Sequence, residues 1–128
     1  EYYQCLEEYL ASQQIIAKPS TGHIGTSNKM NAQEWGNVVS IWPLGTDLSY
    51  VYPKRRREFF SSSNSSCRDE EFCINQNLER ALQEGREVLF ASWYGSTMNV
   101  PTSSFLAVPQ KYDRRLEGLL ESINYGLN

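Results

Sequence analysis

Glu87-Val88-Leu89-Phe90-Ala91-Ser92-Trp93-Tyr94 is the most strand-like run in this chain. Its β-branched and aromatic residues favour extended backbone. Apolar character is near-continuous rather than alternating, which predicts a central strand covered on both faces. Downstream, residues 95–102 read as a loop containing Pro101. Ser104-Phe105-Leu106-Ala107-Val108 reads as a last strand, stopped by Pro109.

Upstream, Val38-Val39-Ser40-Ile41-Trp42-Pro43-Leu44 and Leu48-Ser49-Tyr50-Val51-Tyr52 flank Gly45-Thr46-Asp47. Two extended runs around turn residues predict a hairpin. Leu48, Tyr50 and Tyr52 share one face of the second strand.

Helical periodicity appears three times. Residues 2–16 repeat apolar positions at Tyr3, Leu6 and Leu10, with a stop at Lys18-Pro19-Ser20-Thr21-Gly22. Residues 69–84 follow Asp69 as a cap, with a stripe of Ile74, Leu78, Ala81 and Leu82, and Gly85 at the left-handed C-terminal position. From Asp113, a stripe of Leu116, Leu119, Leu120, Ile123 and Leu127 predicts a terminal amphipathic helix. Between the first helix and the hairpin, residues 20–37 are polar and Gly-containing. They read as a long loop, with one helical turn begun by Asn31. The order α-β-β-α-β-β-α predicts an α+β domain, a mostly antiparallel sheet with helices packed against it. GAF, PAS and Cache sensor domains resemble this layout.

Cys67-Arg68-Asp69-Glu70-Glu71-Phe72-Cys73 places two thiols close in sequence, with no second half of a metal site nearby. The spacing predicts a local Cys67–Cys73 disulfide and an oxidising compartment. Cys5, on the apolar face of the first helix, reads as a small buried hydrophobe. Residues 61–66 are a Ser/Asn linker carrying the sequon Asn64-Ser65-Ser66.

Apolar residues make up 40% of the 128, which fits one globular domain. No apolar run approaches the ~20 residues that cross a bilayer. The chain opens Glu1-Tyr2-Tyr3-Gln4 and reads as a piece of a longer protein whose flank supplies an export signal or a membrane anchor. The net charge of −3 argues against nucleic acid as a partner. Lys54-Arg55-Arg56-Arg57 is a local cationic run, read as a solvated loop tip.

Chemistry is sparse. His23 is the only histidine, so no multi-His metal site is expected, and no cofactor motif is present. A Cys–His nucleophile pair using His23 is the remaining enzymatic alternative. The acidic pairs Glu7/Glu8 and Glu70/Glu71 read as solvent-facing. Eight Tyr and three Trp are many for this length. Trp42, Tyr50, Tyr52, Trp93 and Tyr94 lie on or beside the strands and are the candidate partner- or ligand-binding residues.

Four stretches carry a family resemblance: Glu1-Tyr2-Tyr3, the run from Val39-Ser40-Ile41-Trp42-Pro43 into Leu48-Ser49-Tyr50-Val51, residues 77–90, and Arg115-Leu116-Glu117. Together they resemble the periplasmic domain of T-even phage holins. The resemblance implies a tethered domain that binds a regulatory antiholin and so times host cell lysis. No functional residue is carried across. The expectation is a non-enzymatic extracytoplasmic domain, tethered to a membrane, that binds a regulatory protein or a small ligand and is able to form a homodimer. The alternative is a cytosolic GAF-like or chaperone-like interaction domain.

Overall fold

A computed structural model describes residues 1–45, 47–60, 67–93 and 105–115. The first helix, α1 (Tyr2–Ser12), buries Tyr2, Leu6 and Leu10, three positions spaced four apart on one face. It ends well before Pro19. Gln14 takes a left-handed φ of 59°, and the Ile15 N–H reaches back to Leu10 O at 3.0 Å. The Gln14 N–H reaches Ala11 O at 3.1 Å. This is a Schellman ending with Gln in the position Gly usually takes, and it turns Ile15 and Ile16 onto the core.

The polar stretch after α1 contains more structure than its composition predicts. It forms β1 (His23–Thr26) and α2 (Lys29–Gln33). The cap of α2 is Asn28, whose side chain accepts the Asn31 N–H at 3.2 Å, so Asn31 lies inside the helix rather than before it. Then come β2 (Val39–Pro43), β3 (Asp47–Pro53) and β4 (Phe72–Ile74). The helix α3 (Leu78–Gln83), β5 (Glu87–Trp93), β6 (Phe105–Pro109) and a 3₁₀ turn over Gln110–Tyr112 complete the order.

The class is α+β and every strand pair is antiparallel. Four strands form one sheet in the order β1-β5-β3-β4, and β2 with β6 forms a separate ribbon. As its sequence predicts, β5 is internal and nearly wholly buried. Its residues alternate: Leu89 and Ala91 join Val51, Phe59 and the α1 side chains, while Val88 and Phe90 join Tyr50, Tyr52 and α3. The sheet therefore has a helix and a core on each face.

Two expected elements are rearranged. The hairpin does not form: β2 pairs with β6, and β3 pairs with β5 and β4. The connection is anchored to β5 instead. The Gly45 N–H donates to Ser92 Oγ at 2.7 Å, and a Cβ on Gly45 would lie 2.3 Å from Trp93 O. Only a residue without a side chain allows that approach. The helix expected from Asp69 onward begins only at Leu78, because Asn75 and Asn77 adopt left-handed φ of 54° and 57°. Phe72–Ile74 are extended on β3 instead. The α3 ending does match: Gly85 has φ +70°, with Arg86 N–H to Ala81 O at 3.1 Å and Gly85 N–H to Leu82 O at 3.2 Å.

The disulfide also differs from expectation. Cys67 is bonded to Cys5, with Cα atoms 5.9 Å apart, and Cys73 is a free thiol. Strand alternation gives the reason. On β4, Phe72 and Ile74 face the α1 core that contains Cys67, and Cys73 points to the opposite core with Tyr52. Cys5 projects from α1 into the same core as Cys67. The linker 61–66 with its sequon, the 95–102 loop, and the terminal helix beyond Arg115 lie outside the described residues.

The cationic run is largely paired. Lys54 and Arg55 meet Glu71 at 3.5 and 3.2 Å on the surface. Arg56 turns inward to Glu70, whose side chain is only 7% exposed. Arg56 Nε and Nη2 donate to the Glu70 carboxylate at 3.0 and 2.6 Å, and the Tyr2 hydroxyl donates to Glu70 Oε2 at 2.8 Å. Glu70 is thus a core carboxylate and not a solvent-facing one. Glu7 too has a fixed role, accepting the Ser20 N–H and hydroxyl at 2.7 and 2.9 Å.

Candidate functional site

A cleft of about 890 Å³ opens where the two-stranded ribbon passes the four-stranded sheet. Among the described residues, β1 pairs only with β5, so its outer edge faces this cleft. On β2, Val39, Ile41 and Pro43 form one wall. Phe90 of β5, Leu48 of β3, and Leu78 and Leu82 of α3 form the other. The walls meet over Gly25, where Ile41 Cδ1 and Phe90 Cε2 lie 3.7 and 3.5 Å from the position a Cβ would take.

The lining is unusual in its exposure. Ile24, Trp35, Val39, Leu48 and Leu82 are all exposed large apolar residues, and all line this one cleft. Trp35 is 76% exposed. Gathering of exposed apolar surface into one concavity of this size is the usual form of a small-molecule site.

Three polar groups interrupt the apolar lining. Glu87 begins β5 and is 5% exposed; Asn31 of α2 is 8% exposed; Tyr3 of α1 is half-buried. Glu87 accepts the Phe59 N–H at 3.0 Å. The Tyr3 phenol is shifted above its ordinary value, first by burial and then by the negative charge of Glu87. Each polar group comes from a different element, and the sheet edge brings them to one cleft.

A second, polar depression of about 510 Å³ lies against β4 and α3. Tyr52 and Cys73 line it together with Arg80, Glu84 and Arg86. Its charges pair among themselves: Arg80 and Arg86 both hold Glu84, at 3.0 and 3.4 Å. The Tyr52 hydroxyl donates to the Gln76 and Asn77 carbonyls at 3.1 and 3.3 Å. Burial, and then hydrogen bonding to Cys73, push its phenol up to about 12.

The aromatic residues singled out from the sequence do not gather at one place. Tyr52 is a core residue at the polar depression. Tyr50 is half-buried beside it, its N–H held by Asn75 Oδ1 at 2.8 Å. Trp93 is half-buried, with its backbone under Gly45. Trp42 is half-buried on β2, its buried Nε1 has no hydrogen-bond partner among the described residues, and it does not line the cleft. Tyr94 lies outside the described residues. The Cys–His pair is not built. Cys5 and Cys67 are bonded to each other, and His23 on β1 is separated from Cys73 on β4 by two intervening strands, about 14 Å at the usual strand spacing. Among the described residues, no group of three or more His, Cys, Asp or Glu is placed to hold a metal ion.

Sequence reasoning passed over Trp35, Asn31 and Glu87. A tryptophan inside a polar, glycine-containing stretch was the available signal, since such a residue has no local core to enter. No family model, curated protein or solved structure matches the chain.

Proposed function

We propose that this is a non-catalytic, extracytoplasmic regulatory domain whose input is a small apolar ligand held in the cleft at the edge of β1. One observation carries the reading: the exposed apolar side chains of β1, β2, β3 and α3 converge on a single concave site. A concave site favours a small molecule over a flat protein face. The compartment rests on the Cys5–Cys67 bond, since a structural disulfide persists where the surroundings are oxidising. The membrane tether, and a role in lysis timing, keep their support in the four holin-like stretches of sequence.

Ligand in the cleft would bridge the ribbon and the sheet, which are separate hydrogen-bonded units. Occupation favours whichever relative position gives the ligand more contact, and that bias is the signal passed along the chain. The test is titration of the unreduced protein with the neutral dye N-phenyl-1-naphthylamine, read by dye fluorescence and by Trp35 quenching. Saturable one-to-one binding is expected. Leu48→Glu and Leu82→Glu, both on partly exposed positions, should each weaken it by about tenfold. Absence of saturable binding, or binding unchanged in both variants, overturns the proposal.

A further inference from the structure

The β2–β6 ribbon has two faces, and the cleft accounts for one of them. We propose that residues 116–128 dock as an amphipathic helix on the other, the face of Ser40, Trp42 and Val108. This docking does not depend on what fills the cleft.

Strand alternation separates the faces. Val39, Ile41 and Pro43 line the cleft, and Ile41 Cδ1 lies over Gly25. Trp42 alternates with them, and Val108 lies opposite Ser40 in the β6 register. Ser40 borders the cleft too, but its hydroxyl goes to Asp113. Trp42, Val108 and Asp113 do not line the cleft, and neither Trp42 nor Val108 belongs to either core of the sheet. All four residues are nevertheless half-buried, whereas Ala107 and Pro109, at the alternate positions of β6, are exposed. Trp42 Nε1 and Asp113 Oδ1 are both buried without a hydrogen-bond partner among the described residues. Polar atoms shielded from water in this way lie under a cover, and neither described core supplies it.

The path of the chain identifies the occupant. β6 leaves the ribbon at Pro109, opposite Val39. After the 3₁₀ turn the chain comes back, and Ser40 Oγ donates to Asp113 Oδ2 at 2.7 Å, one residue inside that end of the ribbon. Residues 113–115 are already helical, with Asp113 at φ −56° and ψ −45°. A helix therefore opens against the outer face, with residues 116–128 still to follow. Continued at the usual rise, those residues extend about 20 Å, and a five-residue strand such as β2 spans about 17 Å. Leu116, Leu119, Leu120, Ile123 and Leu127 fall within an arc of about 100° on such a helix, the width of one packing face, with Glu117 and Glu121 outside it. The ribbon then carries the cleft on one face and the C-terminal segment on the other, so a shift of the ribbon moves both.

The experiment is hydrogen exchange of the full, unreduced chain, read by mass spectrometry with no ligand or dye present. Amides of residues 116–128 are expected to exchange at least about tenfold more slowly than in a free peptide of residues 113–128. Leu119→Glu/Ile123→Glu, which charges the stripe, should bring them within about twofold of the free peptide. Trp42→Ala, which removes the seat, and Asp113→Ala, which cuts the tie to Ser40, should each speed them severalfold. Amides of β5 report the sheet in every variant and should stay protected, which separates undocking from unfolding. Exchange of residues 116–128 at the free-peptide rate in the unaltered chain overturns the docking. Protection kept at its full level in the stripe variant overturns the helix face assigned to it. Protection kept in both Trp42→Ala and Asp113→Ala overturns the ribbon as the seat. These outcomes leave the cleft reading untouched, since dye binding alone decides that.

Discussion

Opening the Cys5–Cys67 bond tests the architecture most directly. The bond spans 62 positions. In the loop-closure treatment, a link of that length removes about 14 cal/mol/K of chain entropy from the unfolded state, or about 4 kcal/mol at 25 °C. A ring closed between Cys67 and Cys73 would remove only about 2 kcal/mol by the same formula. The perturbation is the paired variant Cys5→Ser/Cys67→Ser, with Cys73→Ser as the control. With a denaturant slope of about 2 kcal/mol/M, 4 kcal/mol is a midpoint shift of roughly 2 M urea. Both cysteines pack in the α1 core, so the two hydroxyls add a further desolvation cost and the shift should not be smaller. The assay is urea unfolding followed by Trp fluorescence, with thiol counting in urea without reductant, where one titrable thiol, Cys73, is expected. A midpoint shift below about 0.5 M, or a peptide map linking Cys67 to Cys73, would refute the reasoning.

The buried and exposed carboxylates beside the cationic run should separate sharply. Glu70→Ala strips Arg56 and Tyr2 of a 7%-exposed partner and is expected to cost about 3 kcal/mol, whereas Glu71→Ala, at a 52%-exposed position, should cost under about 1 kcal/mol in the same urea assay. Gly45→Ala places a Cβ 2.3–2.5 Å from the Trp93 backbone and should lower stability by about 1–3 kcal/mol, seen as a lower thermal midpoint. Tyr2 and Tyr52 both hold their protons above the ordinary phenol value of 10.0, burial being the largest cause in each. The native state then binds more protons than the unfolded chain in alkali. Stability is therefore intact below pH 10 and falls as pH rises toward 12, and Tyr52→Phe should flatten that fall in urea midpoints measured across the range.

What the sequence made legible was local. The central strand β5, the strand β6, the apolar face of α1 and the glycine ending of α3 are all written in short-range periodicity and cap residues. What it hid depends on distant pairing. β1 is four residues in a polar stretch, extended because β5 lies beside it some sixty positions away. The β2 and β3 runs look like a hairpin because their turn chemistry is suitable, but each finds its partner elsewhere, β2 on β6 and β3 on β5 and β4. The cysteine pairing followed proximity in sequence, and strand alternation on β4 overruled it. The candidate site was hidden for the same reason, since its walls come from residues near 24, 40, 48, 80 and 90. Glu87 opens a strand-like run in the sequence; its burial appears only once Phe59 is folded against it.

The cleft itself follows from how the backbone bonds are distributed. The β1 ladder goes to β5 and the β2 ladder to β6, so no described backbone pairing joins sheet to ribbon at their meeting. Side chains alone fill that seam, and Gly25 contributes none, so Ile41 and Phe90 approach across it. The opposite face of the sheet is fixed differently, by the Cys5–Cys67 bond, the Arg56–Glu70–Tyr2 cluster and the fully buried Phe59. Stability concentrated there lets the seam leave Leu48, Leu82, Val39 and Ile24 partly in water. Each Å² of that surface covered by a ligand returns about 25 cal/mol, a driving force the folded domain has not itself consumed. A seam of this kind binds by completing a core.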